Sequence, residues 1–417
     1  MAGGLTQQVK QINSAQKEQF LLTNGVVLIG IGLFFNGWTV PILFSANQNY
    51  ELAEFRLRVW VFDLIFILMG FLLIRLRTKY KILLDVFVGG TVSILMLVGI
   101  EGLFYTINTY IQRGDEVVWY EGGDIYQADN NLGYKPEANT QINSIKKSNG
   151  ETIYNVVYST DDYSRRITPV QNRKDRNNYI LFFGDSFTFG HGVNDNETLP
   201  FYAAQLASDY QPYNYGFSGY GPQQMLAKLQ SQHLKQEIEE NQGIAIYTYL
   251  DDHVSRSIGS MRVYNQWGRV MPYYTLDANN NLVRKGNFTS GRPLLSTFYI
   301  IVGKSQTARY FNVNFPAKIT DSHVELAAKI IAASREAFTE EFNSDNFYVL
   351  FFPSVSGQAN KIIPYLEKAN INYLDYSTLY ARTQSDLWIA GDAHPSAKGY
   401  KIVAAKLVED LKLTPIE

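Results

Sequence analysis

Four short segments of this chain hold residue types that can do chemistry together. They are Gly184-Asp185-Ser186-Phe187-Thr188-Phe189-Gly190, Asn214-Tyr215-Gly216-Phe217-Ser218-Gly219-Tyr220-Gly221, Tyr249-Leu250-Asp251-Asp252-His253 and Gly391-Asp392-Ala393-His394-Pro395-Ser396. A serine hydroxyl is a weak nucleophile. It needs a base to take its proton, and the base needs a third group to hold one tautomer. Ser186, His394 and Asp392 supply those three types. A serine just after a strand and just before a helix stands at a turn, with its hydroxyl exposed and its backbone N–H turned toward the site. The glycines of the second segment permit close backbone approach to a ligand. The chain has only five histidines, so an Asp-x-His-Pro stretch arises rarely by accident.

Plainer readings compete with each assignment. Gly-Asp-Ser alone is a common turn, Asp392 could be a helix N-terminal cap, and His394 could be an ordinary helix-start histidine. His191 and His253 are expected to serve as hydrogen-bonding or surface residues. Asp251, Asp252 and His253 could join Asp185 and His394 around a divalent cation, since oxygen and imidazole ligands suit one. That arrangement would leave Ser186 without a purpose. The expectation is therefore no metal and no cofactor.

The elements that must position these segments follow from the apolar pattern. Strands are expected at Tyr179–Phe183, Tyr213–Phe217, Ile244–Leu250, Phe347–Phe352 and Ile371–Tyr376. Helices are expected at Leu199–Ser208, Gln223–Glu240, Ser322–Phe342, Gln358–Ala369 and Ser396–Leu411. Strands alternating with helices imply an α/β domain over 178–417, a parallel sheet covered on both faces. Its site belongs at the carboxyl ends of the strands. Ser255–Phe315 breaks the alternation, carries a hairpin signal at Asp277–Asn281, and reads as an insertion over the site.

From Asn178 to Leu413 the sequence resembles the SGNH (GDSL-like) hydrolase superfamily. The resemblance implies a three-layer, flavodoxin-like sheet, with Ser186 as nucleophile, His394 as base and Asp392 orienting the base. It implies an oxyanion site formed by the backbone N–H groups of Ser186 and Gly219 with a third-segment side chain. The family places an Asn amide there, and the nearest match here is Asp251. An ionised carboxylate would repel an oxyanion, so Asp251 must be protonated, turned away, or replaced by a donor such as His253 or Arg256. The family spacing Asp-x-x-His is shortened here to Asp-x-His. Leu132-Gly133-Tyr134 to Pro169 resembles the lead-in of membrane-attached members.

The bulk composition points the same way. Hydrophobic residues make up 46% and charged residues 18%, below the usual quarter for soluble domains, and the deficit lies in the first hundred or so positions. A net charge of −2 leaves no electrostatic footprint for nucleic acid. The absence of cysteine excludes disulfides and thiolate metal sites. Apolar runs at Gly25–Phe44, Val59–Ile74 and Ile82–Ile107 are read as three transmembrane helices within residues 1–110, with Arg58 and Arg75 snorkelling at the ends of the second. The basic connection Arg75, Arg77, Lys79 and Lys81 belongs inside, which puts everything beyond Tyr110 on the extracytoplasmic side. Residues 111–177 read as a β-rich connector, with Gly122-Gly123, Asn130-Asn131 and Asn149-Gly150 as turns and Thr152–Tyr158 as a strand. The resemblance and the apolar segments together imply an integral-membrane serine esterase, deacetylase or O-acyltransferase. It would act through an acyl-Ser186 intermediate on an envelope or surface glycan or a lipid-linked substrate. Its partners would be the lipid bilayer and membrane proteins. The alternative is a degenerate domain that binds glycan or assembles membrane complexes.

Overall fold

The computed structural model describes residues 19, 22–33, 52–76, 96–109, 116–121, 125–231, 233–353 and 358–413. The chain forms two compact units, residues 1–113 with 300–318, and residues 114–299 with 319–417.

The second unit begins with a connector of five strands: β1 (Glu116–Glu121), β2 (Tyr126–Asp129), β3 (Gly133–Pro136), β4 (Gln141–Ser148) and β5 (Glu151–Ser159). β2 and β3 form a hairpin, and β1, β4 and β5 form an antiparallel sheet. Asn149 and Gly150 join β4 to β5 with φ of 50° and 83°, the left-handed pair that a tight hairpin requires. Strand alternation turns Ile142, Ser144 and Lys146 of β4 inward, opposite Tyr158, Val156 and Tyr154 of β5. The apolar members of this face pack with Phe189, Phe217 and Tyr220. The connector is thereby seated on the first and second chemical segments.

Five parallel strands follow: β6 (Asn178–Phe183), β7 (Tyr210–Asn214), β8 (Gln242–Tyr249), and, after the antiparallel pair β9 (Pro272–Leu276) and β10 (Leu282–Asn287), β11 (Phe347–Phe351) and β12 (Asn372–Asp375). Their spatial order is β7-β6-β8-β11-β12, the flavodoxin-like 2-1-3-4-5 arrangement, which reverses direction between β6 and β8. Side chains alternate between two cores. Tyr179, Leu181 and Phe183 of β6 join one with Met225, Leu229, Ile331 and Phe338. Ile180 and Phe182 join the other with Leu199, Ala203, Val403 and Leu407. Burial on both faces explains why these strands read as continuous apolar runs.

Three expected elements end elsewhere. β7 stops at Asn214 because Gly216 packs against the nucleophile turn, where an added Cβ would lie 2.5 Å from Thr188 Cβ and 2.7 Å from Phe189 N. The helix expected over Gln223–Glu240 is Pro222–Leu229 followed by a 3₁₀ turn, Leu234–Glu237. Ser231 Oγ donates back to the Lys228 carbonyl at 2.6 Å at the break. Gln358–Ala369 divides into a 3₁₀ turn Gln358–Lys361 and a helix Ile363–Lys368, because Pro364 lacks the N–H that a continuous helix would use. The hairpin signal lies at the β9–β10 turn, closed by Asp277 N to Asn281 O at 2.9 Å.

The first unit contains helices at 22–33, Leu52–Leu76 and 96–109. Phe66, Ile100, Phe104 and Tyr310 form its small core, and Ser305 Oγ and Gln306 N donate to Glu101 at 2.6 Å each. The three expected transmembrane helices are not found among the described residues. Among the described residues no helix is long and apolar enough to cross a membrane. The expected second span falls inside Leu52–Leu76, which carries Glu54, Arg56, Arg58, Asp63 and Arg75. Its uninterrupted apolar part, Leu64–Ile74, is 11 residues. At 1.5 Å per residue that covers about 17 Å of a hydrocarbon layer about 30 Å thick. Much of the first and third expected spans lies outside the described residues; their described parts are 25–33 and 96–107.

Candidate active site

The turn after β6 is built to present Ser186. Gly184 has φ +152°, and a Cβ there would collide with Thr188 Oγ1. Asp185 caps the one-turn helix Ser186–Phe189, accepting from Phe187 N at 2.9 Å, and Gly190 ends it at φ 83°. Ser186 therefore opens a helix whose first N–H groups have no intrahelical partner. Arg166, fully buried, holds the far end of this turn. Its guanidinium donates to the carbonyls of Phe189 (2.7 Å), Gly190 (2.5 Å) and Val193 (2.7 Å) and pairs with Asp195 at 3.0 Å.

His394 lies 208 positions on and faces this serine, with Nε2 2.8 Å from Ser186 Oγ. Its Nδ1 lies 2.5 Å from Asp392 Oδ1, and the same oxygen accepts from His394 N at 2.8 Å. The shortened Asp-x-His spacing thus works as a local turn, in which one carboxylate oxygen holds both the backbone and the ring of the residue two ahead. Arg382 fixes the loop by donating to the carbonyls of Ala393 (2.9 Å) and Asp392 (3.0 Å). Asp392 Oδ2 accepts from Lys146 Nζ at 2.6 Å. Burial opposes the Asp392 charge. The His394 bond and charge, with the Lys146 bond, outweigh that and hold the carboxyl well below the usual carboxylate range. The acid is therefore ionised, as an acceptor for Nδ1–H must be.

The second segment is tied to the first. Asn214 Nδ2 donates to Thr188 O at 3.0 Å, Gly216 N to Asn214 Oδ1 at 3.0 Å, and Phe217 N to Gly184 O at 3.3 Å. Gly219 has φ 82°, and a Cβ there would sit 2.6 Å from Tyr134 Oη and 2.7 Å from Trp267 Nε1. Both neighbours are anchored: Tyr134 Oη donates to Ser218 O at 2.8 Å, and Trp267 Nε1 to Gly219 O at 3.0 Å.

Asp251 stands at the end of β8, just before the helix Asp252–Ser257. His253 of the third segment and Arg256, three residues beyond it, reach the nucleophile turn. Arg256 Nη1 is 2.6 Å from Asp185 Oδ2 and 2.7 Å from the Tyr220 carbonyl. His253 Nε2 is 3.3 Å from Asp185 Oδ2, and Nδ1 is 2.7 Å from the Tyr247 hydroxyl. Asp185 is fully buried, which opposes its charge, yet the Arg256 charge and His253 hold it well below the usual range. Burial pushes His253 downward. Among the described residues, no group of three His, Cys, Asp or Glu side chains could hold a metal ion.

His191 bonds the Tyr154 hydroxyl through Nε2 at 2.8 Å and places Nδ1 3.4 Å from Ser218 Oγ. Its ring centroid is 4.7 Å from that of His394. Burial, and then the His394 charge, push it down to about 3, so it is neutral near pH 7. Sequence reasoning missed the connector's contributions, Lys146, Tyr154 and Tyr134, as well as Trp267. The one available signal was a lysine on the inward face of an alternating strand, Ile142-x-Ser144-x-Lys146.

These contacts bring Ser186, His394 and Asp392 into one hydrogen-bonded relay, a constellation suited to nucleophilic attack on an acyl carbon. Solved structures with a similar fold include esterases of the G-D-S-L and SGNH type. A psychrotrophic esterase from a Pseudoalteromonas species is 13% identical, over 56% of this chain and 97% of its own, at a TM-score of 0.34. A member of the lipolytic G-D-S-L family from Veillonella parvula is 15% identical, over 56% and 98%, at 0.33. An acetyl xylan esterase from Butyrivibrio proteoclasticus is 11% identical, over 72% and 89%, at 0.34. No family model and no curated protein matches the chain.

Proposed function

We propose that this chain is an SGNH-type serine ester hydrolase or acyltransferase that works through an acyl-Ser186 intermediate. One observation carries the reading: the unbroken relay from Ser186 Oγ through His394 to Asp392, at 2.8 and 2.5 Å. His394 Nε2 takes the serine proton as Oγ attacks the acyl carbon, and Asp392 holds the imidazole in the tautomer that can accept it. The tetrahedral oxyanion would be held by the backbone N–H groups of Ser186 and Gly219. His394 then returns the proton to the departing alkoxide. Water as second acceptor gives hydrolysis; a sugar hydroxyl gives transfer.

The substrate proposed is an acylated envelope or surface glycan or lipid-linked molecule. The catalytic unit would be kept at the extracytoplasmic face of a bilayer. What supports membrane association is the first unit, whose helices expose Val26, Leu33, Leu64, Leu68, Phe71 and Leu97, each more than half accessible. Exposed apolar patches of this kind mark membrane or protein contact.

A fluorophosphonate probe tests the proposal, because only an activated serine reacts with it. Labelling of the wild type, lost in Ser186→Ala, is the expected result. A wild type that does not label would leave a non-catalytic binding domain as the better account.

A further inference from the structure

We propose that Lys146 is a positioning residue for the Asp392–His394 pair, which makes the β-rich connector a working part of the active site. The inference rests on the reading of Ser186 and His394 as nucleophile and base.

The argument begins with strand geometry. Ile142, Ser144 and Lys146 share the inward face of β4. An inward lysine is costly to bury without a partner, and Lys146 is 7% exposed. Its partner is Asp392, 246 positions away, at 2.6 Å, with both side chains nearly inaccessible. The pairing register shifts immediately after Lys146: Lys146 faces Tyr154 but Lys147 faces Thr152, so Ile153 is an extra residue in β5. Such bulges bend a strand and re-aim its side chains beside active sites. The bulged Ile153 packs on the fourth segment, where a Cβ on Gly391 would lie 2.8 Å from its Cδ1.

The two oxygens of Asp392 are divided between two duties. Oδ1 accepts from the His394 ring and backbone, and Oδ2 accepts from Lys146. Rotating the carboxylate would break both sets of bonds, so Lys146 fixes the plane in which Asp392 meets the imidazole. Its charge has a second effect. It offsets part of the negative charge that Asp392 presents to the His394 ring. The other polar groups facing the pair are His191, whose ring packs on His394, Tyr154, which bonds His191, and Arg382 on the loop carbonyls. Lys146 and Tyr154 are cross-strand partners, so a single rung of the connector touches both histidines of the site, one directly and one through Asp392.

The test measures the rate of Ser186 labelling by a fluorophosphonate against pH, using the full chain. In K146M the midpoint of the rising limb should move upward by about one pH unit, the size expected when a nearby charge is removed. At pH values below the midpoint that is a roughly tenfold slower reaction, converging on the wild type at high pH. K146Q, which keeps a donor without the charge, should show the same displacement and decides the matter if K146M does not fold. The double variant K146M/D392N should be no slower than D392N alone, because Lys146 acts through that carboxylate. A purely structural lysine would leave the midpoint in place and give losses that multiply; either result overturns the inference. Failure of the wild type to label overturns the esterase reading and this inference with it. A wild type that labels, with an unmoved midpoint in the variants, overturns this inference alone.

Discussion

Arg256 and Asp185 form a buried ion pair at 2.6 Å, and the same guanidinium nitrogen holds the Tyr220 carbonyl at 2.7 Å. One side chain just beyond the third segment therefore ties the nucleophile turn to the glycine loop. The contacts that His253 and Arg256 make with Asp185 brace the turn beneath Ser186. Removing one partner of a buried pair leaves an uncompensated charge, which costs about 3–5 kcal/mol. Arg256→Met should thus lower stability by that order in chemical denaturation. The double variant Arg256→Met/Asp185→Asn should recover a large part of the loss, because no charge is then stranded. Equal destabilisation in the single and double variants would show that the pair is not what holds the turn.

The relay itself makes a kinetic prediction. Ser186→Ala and His394→Ala should each remove nearly all turnover of a simple acetyl ester, and the double variant should be little worse, because the two act as a unit. Asp392→Asn should lose on the order of 10³–10⁴ in kcat, since an amide in place of the acceptor favours the wrong tautomer. Multiplicative losses for Ser186 and His394 would mean that they do not share a proton.

Much of this architecture is legible in the sequence because it depends on local patterns. Tyr179–Phe183 announces β6 as an apolar run closed by Gly-Asp-Ser, and the Asp-x-His turn is complete within three residues. Lys146 is not legible in this way. Its role depends on a bulge in β5 and on a partner 246 positions away, neither of which leaves a periodic trace. Arg256 is named by its proximity to the third segment, but that its charge meets Asp185 is a matter of packing. The second apolar run differs from its expected span for another reason. Hydropathy counts apolar residues along a run, whereas a helix also has to accommodate Asp63 and Arg75 at its own positions.

His191 predicts an acid sensitivity. Its folded form is held down to about 3 by burial against the His394 ring, while an unfolded histidine titrates near 6.5. Below about pH 6.5 the unfolded chain takes up a proton that the folded chain refuses, so the folded state is disfavoured progressively as pH falls toward the folded value. His191→Phe keeps a ring without the titration. Its thermal midpoint should fall less between pH 7 and pH 5 than that of the wild type. Parallel declines in the two proteins would show that His191 takes up its proton without opening the site.

Gly219 carries the last prediction, and it separates the two routes to an oxyanion site. If backbone N–H groups hold the oxyanion, the position of the Gly219 peptide matters and the side chain of Asp251 does not. Alanine at 219 must adopt φ 82° and place its Cβ 2.6 Å from Tyr134 Oη and 2.7 Å from Trp267 Nε1. Both of those groups are bonded to the same loop, so the peptide has to move. Loss of one oxyanion donor costs about 10²–10³ in kcat. Gly219→Ala should show a loss of that order, with a much smaller change in KM. Asp251→Asn should be neutral or harmful, because Arg256 and His253 already occupy the contacts with the nucleophile turn. A large rate gain in Asp251→Asn together with a fully active Gly219→Ala would reverse the assignment. It would identify Asp251 as a carboxylate facing the developing charge and the third segment as the place where the oxyanion is met.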